Sequence, residues 1–184
     1  CRYRSRAMSS TENSSNNNNN KSPIINLADV PLDRSAHGDT FEVHDGGIAH
    51  HIGGKLLGYS LLVVPPGKRA YPFHNHHVNE EMFLILEGQG KLRIGDRELP
   101  LRKGDVIAAP PGGRDTAHQI INTSDTDELR YLAVSTMIRT EVVEYPDSNK
   151  VAVYVGGAPG EDPSIRSFNH RGRLGPALDY WDGE

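Results

Sequence analysis

From Lys55 to Val155 the apolar residues of this chain come in short runs broken by Gly, Pro and Asp. Leu56 to Val64 reads LLGYSLLVV and stops at Pro65-Pro66-Gly67. EMFLILEG, KLRIG, ELPL, VIAAP, AHQIIN, ELRYLAVSTMI and VAVYV follow, and Gly95-Asp96 marks a tight hairpin. No stretch of useful length carries the 3.6-residue apolar stripe of an amphipathic helix. The pattern therefore predicts an all-β fold, a barrel or sandwich of short strands. Several strands are apolar at every position. One face of these is expected to line the core and the other to meet a second sheet or a second subunit, and such faces fit a homodimer.

The two ends read differently. Met8 to Lys21, MSSTENSSNNNNNK, has no apolar residue after the Met and cannot repay its ordering entropy. Residues 1–22 are expected to be a disordered tail, residues 23–147 the β-domain, and residues 148–184 an extension packing on that domain or on a second subunit. This last segment is rich in Gly and Pro and reads as an extended arm, with Tyr180-Trp181 as its expected anchor. No internal repeat is visible.

The chain has 184 residues, 36% hydrophobic and 24% charged, enough to bury one core. Its formal net charge is -4 with no basic stripe, which argues against nucleic acid as a partner. No apolar run approaches the roughly 20 residues of a membrane span. The single cysteine, Cys1, cannot form an internal disulfide, so a reducing compartment is compatible and a cytoplasmic location is expected. Arg2, Arg4 and Arg6 precede the first acidic residue, Glu12, as in an organelle transit segment. The plainer reading makes Met8 the initiator and the first seven residues upstream sequence.

One stretch carries chemistry. FHNHHVNEE, Phe73 to Glu81, packs three histidines and two glutamates into nine residues. In a strand, residues i and i+2 share a face, so His74 and His76 project together while Asn75 and His77 project away. Two imidazoles within about 7 Å on one face form a chelating arrangement. A strand returning from Glu80 turns either Glu80 or Glu81 toward them, and periodicity leaves that choice open because both rows are apolar. His50 and His51 are adjacent and diverge in a strand. Tyr71 is a candidate donor at the mouth of the site, and Arg69, Arg93 and Arg114 are candidate cations for an anionic substrate.

PGKRAYPFHNHHVNEEMFLILEGQG resembles the first motif of the cupin superfamily: Gly, a spacer, His-x-His, a short gap, Glu, six residues, Gly. Six residues separate Glu81 from Gly88, which selects Glu81 over Glu80. The spacer from Gly67 to His74 is one residue longer than usual. GDVIAAPPGGRDTAHQIIN resembles the second motif, with Gly104, Pro110, Gly112, His118 and Asn122 at its fixed positions. Its gap from Gly112 to His118 is longer than the commonest form. The chain as a whole is similar to small single-domain cupins with a DYWDGE-type tail, some of which carry a sugar-phosphate isomerase label.

The resemblance implies a single double-stranded β-helix, the jelly-roll cupin barrel, with an extended C-terminal arm and a metal inside, and the homodimer that the apolar faces fit. Carried over by position, the ligands are His74, His76, Glu81 and His118. Three neutral imidazoles and a carboxylate suit one divalent transition metal, Fe, Mn, Ni or Zn, and leave coordination positions for water or substrate. Calcium wants more oxygen donors, and a cysteine-based zinc site is excluded by composition. The resemblance implies a small-molecule enzyme, isomerase-like or dioxygenase-like. The alternative is a non-catalytic barrel that binds or senses a small molecule. An inward acid or base near the ligands would mark the enzyme; a lining apolar apart from the ligands would suit the binder.

Overall fold

The computed structural model describes residues 22–184, and the expected tail lies almost wholly outside them. Two strands open the chain, β1 (Asp33–His37) and β2 (Phe41–Gly47), followed by a single helical turn, α1 (Ala49–Ile52). The expected runs become β3 (Leu57–Val64), β4 (Asn75–His76), β5 (Glu81–Glu87), β6 (Gln89–Ile94), β7 (Arg97–Arg102), β8 (Val106–Ala109), β9 (His118–Asn122) and β10 (Leu129–Thr136). Three more follow: β11 (Thr140–Tyr145), β12 (Lys150–Val155) and β13 (Phe168–Arg173). The fold is the all-β jelly roll that the strand pattern and the motif resemblance predict. His50 and His51 sit on α1 rather than in a strand, with their rings 3.9 Å apart.

One layer is a six-stranded sheet in the order β1-β2-β3-β10-β5-β8. The other joins two ribbons, β7-β6-β9 and β13-β12-β11-β4. They meet where His74 pairs with His118 through backbone hydrogen bonds of 3.2 and 2.8 Å, and next to that bridge His76 of β4 pairs with Val143 of β11. The core lies between the layers. Leu62, Val64, Phe83, Ile85, Ile107, Leu129 and Tyr131 of the first pack against Leu92, Leu101 and Ile120 of the second.

The doubly apolar strands have a local explanation. Leu61 and Val63 of β3 face away from the main core and pack with Val30, Ile48, Ile25, Ile52, Leu86 and Leu132. The chain's own N-terminal segment and α1 thus cover the face that the sequence assigned to a second sheet or subunit. Gly88 ends the first motif at φ 83, and a Cβ there would collide with the Glu128 carbonyl. Only glycine permits both this conformation and that approach.

The C-terminal segment holds more structure than its composition suggests. β12 pairs in register with β11, and β13 with β12, so part of the arm is sheet. The expected anchor does not dock on the chain: Tyr180 and Trp181 pack edge to face on each other at 4.8 Å and are 84% and 70% exposed. No helix among the described residues is long and apolar enough to cross a membrane.

Candidate metal centre

The crossing point of the second layer assembles the site. β4 carries His76, the segment before it carries His74, β9 begins with His118, and β5 begins with Glu81. Alternation along β5 sends Glu81 inward with the buried Phe83 and Ile85, while Glu80 is exposed. The Glu81 carboxylate is the hub, with Oε2 3.0 Å from His118 Nε2 and 3.4 Å from His76 Nε2. The ring of His74 stands 5.1 Å from that of His76 and 4.8 Å from that of His118. His74, Glu81 and His118 each offer a ligand atom within 4.8 Å of the others, and His76 joins this trio through Glu81.

The outer nitrogens of the rings are already engaged. His74 Nδ1 lies 2.7 Å from the Pro72 carbonyl, His76 Nδ1 3.2 Å from Glu141, and His118 Nδ1 3.4 Å from the Thr116 carbonyl. With Nδ1–H donated outward, loss of any Nε2 proton would turn an Nε2 lone pair to the interior, the tautomer a metal ligand needs. This donor set fits a divalent transition-metal ion.

Reading the sequence alone missed Glu141. It is fully buried on β11, and it accepts hydrogen bonds from the backbone N–H groups of Val78, Asn79 and Val142 and from the Asn79 side chain. It also holds His76. A buried acid on the β11 face that carries Val143 was the available sign, but its partners lie more than sixty residues upstream. His77, by contrast, faces the other side of β4 and meets Glu144 at 3.3 Å. Of the candidate cations, Arg93 is held by both oxygens of Asp147, and Arg114 meets Asn149 and Glu144.

Electrostatics divides the histidines. Burial, reinforced by the neighbouring His118, lowers the His74 pKa to about 4, so this ring is neutral at pH 7. Burial also opposes charge on His76, but the hydrogen bonds from its ring to Glu141 and Glu81 outweigh it and raise the pKa to about 10. For Glu81, burial favours the neutral acid, yet hydrogen bonds with His118 and His76 hold the carboxyl well below its usual range.

His76 therefore titrates higher in the folded, metal-free chain than its ordinary value of 6.5. Its contribution to stability is complete below that ordinary value and is lost as pH rises toward about 10. Chelator-treated protein should melt at progressively lower temperature across this interval. The decline should be missing in His76→Gln; thermal unfolding at several pH values checks it.

A second polar group, half-buried at Asp45 and exposed at Tyr71, stands on the core side of β2. Asp45 of β2 pairs across the sheet with the buried Leu62 and so faces the core side. It accepts a 2.8 Å hydrogen bond from the Tyr71 hydroxyl. Burial raises the Asp45 pKa, with the hydrogen bonds from Tyr71 and Ser60 pulling the other way. Tyr131, buried on β10, feels both Glu81 and Asp45. Phe83 packs on His118 at 5.5 Å and on Tyr131 at 6.0 Å.

Residues 60–135 match the family model described as the cupin domain. Over 80 residues it is 31% identical to an oxalate-binding protein of Thermotoga maritima, covering 44% of this chain and 62% of that one. Over 60 residues it is 37% identical to an uncharacterised protein of Methanocaldococcus jannaschii, covering 33% and 45%. The chain thus spans less than two thirds of the length of these curated relatives. Among solved structures, a sugar phosphate isomerase from a cupin superfamily, from Silicibacter pomeroyi, superposes with a TM-score of 0.68 at 22% identity. That alignment covers 88% of this chain and 94% of the other, and it shows that the fold is shared.

Proposed function

We propose that His74, His76, Glu81 and His118 hold one divalent transition metal, and that the chain is an isomerase moving a proton between adjacent carbons of a small hydroxy-carbonyl substrate. When bound, such an ion supplies Lewis acidity to a substrate oxygen. The protein's part is to orient three imidazoles through their outer nitrogens and to keep the site largely out of water.

The observation that carries the catalytic reading is the Asp45–Tyr71 pair. A lining made only of apolar side chains and ligands would suit a binder. Here a carboxyl whose pKa burial raises stands beside a phenol, on the same side of the sheet as Tyr131, and the two phenols feel the charge of Glu81. A base whose pKa is lifted toward the working pH, with a hydroxyl donor on it, is what carbon–proton transfer requires. Dioxygen chemistry has no need of this pair. The likeness to the Silicibacter isomerase fold agrees with the reading and does not carry it.

Deuterium incorporation from D2O into a panel of aldoses, ketoses and their phosphates, followed by NMR, tests it. Asp45→Asn should slow exchange roughly 10²-fold or more while metal content stays unchanged, and Tyr71→Phe should slow it less. Iron with substrate-dependent oxygen uptake would replace this reading with a dioxygenase. Absence of both activities in metal-loaded protein would leave a small-molecule binder.

A further inference from the structure

The C-terminal sheet continues the face of the metal centre into a row of cations. Residues paired directly across neighbouring strands share a face. His76 pairs with Val143, and Val143 pairs with Ala152, which pairs with Arg171. Two residues along on the same face, Tyr145 pairs with Lys150 and Lys150 with Arg173. In the other direction Glu141, the support of His76, pairs with Tyr154.

Side-chain contacts agree with this register. The Tyr145 ring stacks near the His74 ring at 6.2 Å, and Lys150 Nζ lies 5.2 Å from the centre of the same tyrosine ring. Arg171 donates a 2.8 Å hydrogen bond to the Tyr154 hydroxyl, and the Tyr145 hydroxyl interacts with both groups. Arg173 donates to the Ser148 carbonyl, beside the β11–β12 turn.

Several basic side chains of the surface are paired. Arg34, Lys91, Arg93, Arg114, Arg130 and Arg139 all meet a carboxylate. Among the described residues, none of Lys150, Arg171 and Arg173 has an acidic partner within ion-pair distance, although the chain's net charge is -4. Lys150 and Arg173 even stand directly opposite each other, a like-charge pairing that destabilises a sheet. An anion between them would turn that repulsion into attraction. Two phenol hydroxyls and a guanidinium converging at one place supply the directed donors that an oxyanion takes.

We propose that Lys150, Arg171 and Arg173, with the hydroxyls of Tyr145 and Tyr154, form a subsite for the phosphate group of a small substrate whose other end reaches the metal centre. One tyrosine ring separates the subsite from His74, so a single small molecule can span both. As a statement about substrate class, this rests on the small-molecule reading above. The subsite itself is a property of β11, β12 and β13, beyond the residues that match the cupin domain.

Inorganic phosphate titrated into the full chain at fixed ionic strength, with backbone amide shifts followed by NMR, tests the subsite. Saturable shifts are expected at residues 150–155 and 168–173. Arg171→Gln and Lys150→Gln should each raise Kd about tenfold or more. Both positions lie at the surface or half-buried, so the fold should survive the changes. His118→Ala should retain phosphate binding, because the anion does not sit on the metal. Absence of saturable shifts, shifts confined to residues 74–81 and lost in His118→Ala, or an unchanged Kd in both charge variants would overturn the proposal. Failure of Asp45→Asn to slow exchange would instead sink the proton-transfer reading and leave this subsite standing.

Discussion

Glu141→Ala should cost roughly 3–5 kcal/mol of stability, the range for removing one partner of a buried charged network. The carboxylate is wholly buried and accepts from three backbone N–H groups, at 3.1 Å from Val78, 2.9 Å from Asn79 and 2.8 Å from Val142. It also accepts from Asn79 Nδ2 at 2.6 Å and faces His76 Nδ1 at 3.2 Å. Alanine leaves the three backbone N–H groups and His76 Nδ1 without this acceptor, while Asn79 Nδ2 keeps only the Ile138 carbonyl, and a buried unsatisfied donor costs about 1–3 kcal/mol. The bend between β4 and β5, which aims His76 and Glu81 at each other, rests on these bonds. A drop in melting temperature on the order of 10 °C is expected by calorimetry. A fall of only a degree or two would show that water or a shifted side chain replaces the carboxylate. Glu141→Gln separates support from packing. It keeps the volume but turns an amide N–H toward other donors, and it should weaken metal binding by about 10–100-fold even where the chain stays folded.

The second large effect concerns the centre itself. Glu81→Ala or His76→Ala should strip most of the metal from protein purified without an affinity tag, while circular dichroism remains that of the folded chain. Glu81 is the carboxylate of the donor set and the one group within 3.0–3.4 Å of two of its imidazoles. Its removal takes away charge as well as a ligand, so the affinity loss should exceed the 10–100-fold typical of an outer partner. His77→Ala is the matched control. It deletes an imidazole next to His76 in sequence, but one that faces Glu144 on the far side of the strand. Elemental analysis should find metal in His77→Ala near the wild-type level and little in the other two. Equal metal in all of them would dissolve the assignment of ligands.

The same histidines show where reading the sequence succeeds. Strand periodicity is local, so placing His74 with His76 and sending His77 away needed only alternation along a few residues. The runs that became β3, β5, β9 and β10 were visible for the same reason, as was the hairpin at Gly95, whose φ of 51 suits a tight turn. Glu81 was a harder case. Alternation left it level with Glu80, and only the spacing to Gly88 in the motif separated them. In the fold the choice is physical, because pairing of β5 with β10 and β8 places Glu81 opposite Ser135 and Ala109 on the inner side.

By itself the sequence determined an all-β chain, its central strands and turns, and a cluster of imidazoles and acids in two ordered motifs. Tertiary structure alone decided that Glu141 supports His76, that Asp45 meets Tyr71, that the N-terminal segment covers the outer face of β3, and that Lys150 stands opposite Arg173. Each of these depends on the register between strands far apart along the chain. Register is set by how the two layers close over their shared core, whereas a periodic pattern reports only which side of its own strand a residue occupies.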